Sequence, residues 1–151
     1  MRLVRLGTAG AETPGVLVDD DTFVDLSDVT RDFDEAFFGS GMLDTLAAVV
    51  DERVAAGRTE PVGGRRFGAP FARPHQILCI GLNYSDHAAE TGQAVPDGPI
   101  LFTKSPNTLI GPDDDVLIPR GSVKTDWEIE LGIVIGRRAS YLATRPRRRH
   151  P

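Results

Sequence analysis

A single cysteine, Cys79, and no apolar run approaching the roughly 18 residues needed to cross a bilayer set the first limits on this chain. One thiol permits no internal disulfide. Set within Ile77-Leu78-Cys79-Ile80, it is expected to be a buried small hydrophobe rather than a nucleophile, because a reactive thiol needs an electropositive, accessible setting. The first residues, Met1-Arg2-Leu3-Val4-Arg5, lack the continuous apolar core of a signal peptide. Together these absences point to a cytoplasmic protein, with no membrane partner and no export.

What is present fits a folded globular chain. Hydrophobic residues make up 40% and charged residues 26% of the 151, neither depleted as in a disordered chain nor enriched as in a membrane one. That length suits one ordinary domain, or a small domain and part of a second. The net charge of −5 is unevenly spread, since residues 137–151 hold six arginines and no acid, leaving 11 basic side chains against 22 acidic ones before them. So acidic a body repels nucleic acid, which excludes it as a partner. The tail Arg145-Pro146-Arg147-Arg148-Arg149-His150-Pro151 could meet phosphates or anionic lipid, but a short charged terminus is more often simply solvated.

Along the chain, Leu3–Leu6, Gly15–Val18 and Thr22–Leu26 read as short strands, the last two flanking the turn Asp19-Asp20-Asp21. Over residues 42–56 the period changes: Leu43, Leu46, Ala47, Val50 and Val54 recur at helical spacing, with Gly57 placed to end the helix. Its apolar stripe is expected to pack on the hairpin sheet. From Gly57 to Pro74 periodicity is lost among glycines and prolines, which predicts a linker; Gly63-Gly64-Arg65-Arg66 lacks the context of a phosphate loop. Gln76–Leu82 then reads as a strand buried on both faces, Asn83 as the N-cap of a short helix from Tyr84 to Thr91 closed by Gly92, and Ile100–Thr103, Val116–Ile118 and Thr125–Ile135 as further strands.

Two groups of residues carry chemistry. In a strand, Asp126, Glu128 and Glu130 share one face opposite Trp127, Ile129 and Leu131, with neighbours about 7 Å apart at Cα. Glutamates entering an apolar strand cost several kcal/mol unless a cation neutralises them, and an ion of the Mg²⁺ class prefers such oxygen ligands. The alternative is an edge strand with one solvated acidic face. The second group is Tyr84-Ser85-Asp86-His87-Ala88-Ala89-Glu90, where His87 and Glu90 stand at i and i+3 of a helix. A carboxylate there can fix the imidazole's tautomer and raise its basicity, as suits a general base, although a plain surface helix would carry the same spacing.

Taken in order, Ile80-Gly81-Leu82-Asn83-Tyr84-Ser85-Asp86-His87-Ala88-Ala89-Glu90, Pro99-Ile100-Leu101-Phe102-Thr103-Lys104, Ile110-Gly111-Pro112, Ile118-Pro119 and Asp126-Trp127-Glu128-Ile129-Glu130-Leu131 resemble the opening of the fumarylacetoacetate hydrolase family's catalytic domain. The resemblance implies an α+β, mostly β chain: a small β-hairpin and helix domain over 1–60, a linker over 61–74, the start of a mixed β-roll catalytic domain over 75–137, and an aberrant Arg-rich tail over 138–151. It also implies that Glu128 and Glu130 are ligands to Mg²⁺ or Mn²⁺ and that His87 and Glu90 position and deprotonate the attacking water. Lys104 and Tyr84 lie near the substrate by the same likeness, a surface lysine being the alternative for Lys104, and Asp126 is a supporting acid. The implied chemistry is hydrolytic C–C cleavage of a small 2-oxo acid through a metal-bound enolate, or the isomerase, decarboxylase, hydratase and lyase reactions that share that intermediate. A homodimer is implied as well.

The sequence departs from the family after the Glu-x-Glu strand. A third acidic ligand, a further lysine and most of the β-roll are expected there, whereas the chain turns to Ala143-Thr144-Arg145-Pro146 and the arginine run. Such a change of composition predicts a shifted reading frame or an early stop. It leaves a non-catalytic remnant, with a binding role resting on residues 1–70, as the alternative function.

Overall fold

The structure, a computed structural model, describes residues 1–142 apart from residues 91 and 93, and the side chain of residue 87 lies outside that description. It is an α+β fold, mostly β. The strands β1 (Arg2–Leu6), β2 (Thr13–Leu17) and β3 (Thr22–Asp25) form an antiparallel meander in which Leu3 faces Val16 and Val16 faces Val24. The turn between β2 and β3 is built by Asp19, whose carboxylate accepts the backbone N–H groups of Asp21 and Thr22 and the Thr22 hydroxyl. Acidic turn residues thus close the expected hairpin by bonding their own backbone.

Strand alternation divides the side chains between two faces, and both are covered. Leu3, Val16 and Val24 look toward α1 (Glu35–Gly39) and α2 (Leu43–Ala55), where they pack with Phe33, Phe37, Leu46 and Val50. Val4, Leu6, Leu17 and Phe23 form the second cluster, with Val62 and Phe67. Asp34 caps α1 by accepting the Phe37 N–H, and Gly57, at a φ of +68°, follows the end of α2 as expected. Of the stripe expected to pack from α2, Leu46 and Val50 are buried, but Leu43, Ala47 and Val54 are exposed. Met42 and Val49 pack in their place, so the buried stripe runs through residues 42, 46, 49 and 50.

Residues 61–74, expected as a linker, are packed against this sheet. After α2 the chain pairs as β4 (Glu60–Pro61) with β3, crosses the second face with Val62 buried, and reaches the far edge, where Phe67 bridges to Leu6. Hydrogen bonds from Val62 to Asp21, Gly7 to Arg66, Gly68 to Arg5 and Ala72 to Phe33 fix its path. Glycine and proline here mark a strap whose backbone bonds are non-local, which is why no periodicity shows in its sequence.

Beyond it, β5 (Ile77–Gly81) and β6 (Ile100–Lys104) make a separate two-stranded antiparallel sheet, and α3 (Ser85–Glu90) follows β5, with a 3₁₀ turn over Pro106–Thr108 after β6. The expected burial of both faces of β5 is not found: Ile77 and Cys79 are half-buried while Leu78 and Ile80 are exposed, because the sheet has only two strands and nothing covers that face among the described residues. Cys79 is accordingly half-buried rather than fully enclosed. Nor are Val116–Ile118 and Thr125–Ile135 strands. Both stretches have no ladder partner among the described residues, and Trp127, Ile129 and Leu131 are 82%, 84% and 79% exposed. Alternation gives a segment its pattern, but only a neighbouring strand satisfies its backbone. Residues 143–151, most of the arginine tail, lie outside the described residues, within which no helix is long and apolar enough to cross a membrane.

Candidate active site

The candidate residues sit on three pieces of the second half. Leu82, at a φ of +49°, turns the chain out of β5, and α3 then presents one buried residue, Ala88, on its inner side. Tyr84 and Glu90 are exposed on this segment. The assignment of His87 lies outside the described side chains, although its backbone is part of α3, so His87 and Glu90 are on one helix at i and i+3. Lys104 ends β6 opposite Ile77, whereas Gly81, from which the chain leaves toward α3, pairs with Ile100. The register therefore puts Lys104 at the end of the hairpin away from that exit, roughly 13 Å along the strand at about 3.3 Å per residue.

Glu128 and Glu130 are exposed on the unpaired segment. Among the described residues, Asp126 accepts a hydrogen bond from the N–H of Trp127. No hydrogen bond or ion pair joins Tyr84, Glu90, Lys104, Glu128 and Glu130 to one another among the described residues. Two carboxylates suit a hard divalent cation in kind, but no group of three His, Cys, Asp or Glu residues among those described could hold one. As folded here they fall short of a metal site in number.

The described residues do bring together a charged cluster that sequence reasoning missed. Arg5, in β1 and buried, binds Asp32 through Nε at 2.6 Å and Nη2 at 3.1 Å, Glu12 through Nη2 at 2.9 Å, and the Ala69 carbonyl through Nη1 at 3.1 Å. Arg66 donates to Glu12 Oε1 at 3.0 Å, to the Gly7 carbonyl at 3.3 Å, and with both Nε and Nη2 to Asp114. Burial pushes the Glu12 carboxyl up most strongly of any single cause, yet the bonds from Arg66, its own N–H and Gly10, with the Arg5 charge, together bring it below the usual carboxylate range. Asp114 is likewise lowered, by Arg66 first and then by the Gly111 N–H, while Asp114 and Glu12 raise Arg66. No periodicity marks these residues; the one signal in the sequence is an arginine inside the apolar run of β1, which must find carboxylates.

Residues 76–148 match the family model described as fumarylacetoacetate (FAA) hydrolase C-terminal. A provisionally named hydrolase of Burkholderia ambifaria (strain MC40-6) is 43% identical over 136 residues, which is 90% of this chain and 47% of that protein, and one of Burkholderia lata is 42% identical over the same extent. Residues 76–148 thus carry the likeness to the fumarylacetoacetate hydrolase family. In solved form, a crystal structure of a provisionally named HpcE protein from Mycobacterium smegmatis shares the fold with a TM-score of 0.54 and 28% identity, over 81% of this chain and 42% of that one. The chain thus spans about half the length of the relatives it matches. Tyr84, His87, Glu90, Lys104, Glu128 and Glu130 all fall within the family-matched residues.

Proposed function

We propose that this chain carries part of the catalytic apparatus of a metal-dependent hydrolase acting on a C–C bond of a small 2-oxo acid in the cytoplasm, within a mixed β-roll that is active as a homodimer. The observation that supports it is the family match over 76–148, which contains both the His87–Glu90 helix and the Glu128-x-Glu130 pair. In this reading Glu128 and Glu130 supply two of the oxygen ligands to Mg²⁺ or Mn²⁺. A divalent cation, when bound, supplies Lewis-acid polarisation of the substrate's carboxylate and keto oxygens. His87 would take a proton from the attacking water, and Glu90, three residues on in α3, is the carboxylate that would hold its imidazole in one tautomer and keep it basic. Lys104 and Tyr84 bind the substrate, the lysine through its carboxylate. Isomerase, decarboxylase, hydratase or lyase chemistry on the same class of acid would use the same groups, so one set of residues suits more than one reaction.

The test joins this chain to the remaining half of the B. ambifaria relative and assays an acylpyruvate with Mg²⁺. His87→Ala should lower kcat by roughly 10²–10⁴ with Mg²⁺ affinity unchanged, while the double change Glu128→Ala and Glu130→Ala should abolish Mg²⁺ binding. A His87→Ala protein turning over at full rate removes His87 from the mechanism. The concentration of the buried core in residues 4–72, with Ala88 the one buried apolar residue beyond it among those described, favours a second reading, a binding module on the first sheet. An inactive joined protein whose first 75 residues fold and bind unaided would support it.

A further inference from the structure

We infer that the turn Gly111–Asp115 is a docking element, and that Gly7, Glu12, Arg66 and Phe67 form the socket that seats the family-matched segment on the N-terminal sheet. Two independent geometries meet at this point. The first is charge: the Arg66 guanidinium takes both oxygens of Asp114 with its fork while a third N–H goes to Glu12. Glu12 is itself held by Arg5 and by the N–H of Gly10, so Arg66 is braced from the side of the first sheet. A bidentate arginine–carboxylate pair is directional, and here its arginine is held by a second carboxylate.

The second geometry is backbone contact. Gly111 is buried, and a Cβ placed on it would lie 2.1 Å from the carbonyl oxygen of Phe67, so no residue larger than glycine fits without moving one chain off the other. The Asp114 carboxylate also accepts the Gly111 N–H at 2.7 Å, and the Asp114 N–H donates back to the Gly111 carbonyl. The side chain that reaches the socket therefore also shapes the turn that enters it. On either side the chain is open to solvent, with β6 exposed along its length and Val116–Ile118 exposed beyond. The Arg137–Asp44 ion pair and the His75–Glu35 hydrogen bond also join later residues to the helices, but all four side chains are exposed, where such contacts contribute little. The socket is specific for a turn with glycine first and aspartate fourth, and it sets where the stretch that ends in Glu128 and Glu130 leaves the first sheet.

Hydrogen exchange on the full chain tests this, with Asp114→Asn to remove the charge and Gly111→Ala to block the close approach. Both variants should speed exchange of peptides covering 109–116 by roughly tenfold or more, and leave peptides from β1–β3 as protected as in the parent. Unchanged exchange over 109–116 in both would overturn the inference. So would equal acceleration across β1–β3, which would make the turn part of the sheet's own cooperative unit. A response limited to the Gly111 amide in Asp114→Asn, with Gly111→Ala silent, would reduce the pair to a local turn contact and also overturn it.

Discussion

Arg5 lies between Val4 and Leu6 in β1, on the same face as Leu3, and a charge there is tolerable only because each of its three guanidinium nitrogens has an acceptor. The Arg5 and Asp32 side chains are only 7% and 9% exposed, so the pair has been taken out of water on both sides. Its net worth against an apolar pair is small, but breaking it leaves Asp32 and Glu12 as uncompensated buried carboxylates. Arg5→Met, which keeps much of the volume, should therefore lower the unfolding free energy by about 3–5 kcal/mol in urea titrations. A loss under about 1 kcal/mol would show that water or Arg73, 3.5 Å from Asp32, replaces it. Sequence reasoning found the carboxylates of the candidate site, Glu128 and Glu130, by their alternation, and passed over Glu12, Asp32 and Asp114, because nothing local distinguishes a paired acid from a solvated one.

The sheet explains why some elements were legible and others not. Strands β1–β3 and helix α2 each show their own period, and each turns that pattern against a neighbour close in sequence. Helix α1 was not anticipated, since five residues leave too short a pattern, although Asp34 and Glu35 form an N-terminal signal in retrospect. Within β2, Gly15 meets the Phe23 ring: a Cβ would lie 2.6 Å from Phe23 Cδ2 and 2.8 Å from the Val24 carbonyl oxygen. Phe23 is fully buried and capped by Arg65, whose guanidinium carbon is 4.8 Å from the ring centroid, so it cannot easily retreat. Gly15→Ala should destabilise the sheet by about 1–3 kcal/mol by chemical denaturation. A neutral or stabilising result would mean that the strands have room the close approach denies.

Across the whole molecule the order runs from a sheet covered on both faces to a second half held by few contacts, and its charged socket should make that order sensitive to acid. Glu12 and Asp114 both have carboxyls lowered below their ordinary values in the folded chain. A depressed folded pKa adds stability that is present above the unfolded value and is lost as pH falls through the folded one. Resistance to urea should therefore be flat above about pH 5 and should fall below about pH 4. Arg66→Gln, which removes the partner common to both acids, should make that fall shallower while lowering the plateau. Equal acid slopes in parent and variant would show that Arg66 is not what lowers them.

By itself the sequence determined strands β1–β3 and helix α2, the family likeness, and the residue types offered for chemistry, because these depend on periods and spacings within a few tens of residues. Only the tertiary structure decided that the glycine-rich stretch 61–74 is a packed strap, that Arg5 and Arg66 are shared among acids distant in the chain, and that Val116–Ile118 and Thr125–Ile135 remain unpaired within the described residues. A strand pattern states which face is apolar; whether a ladder forms depends on a second segment reaching hydrogen-bonding distance. Charges follow the same rule, since a carboxylate's partner is fixed by where the backbone brings it and not by its neighbours in sequence.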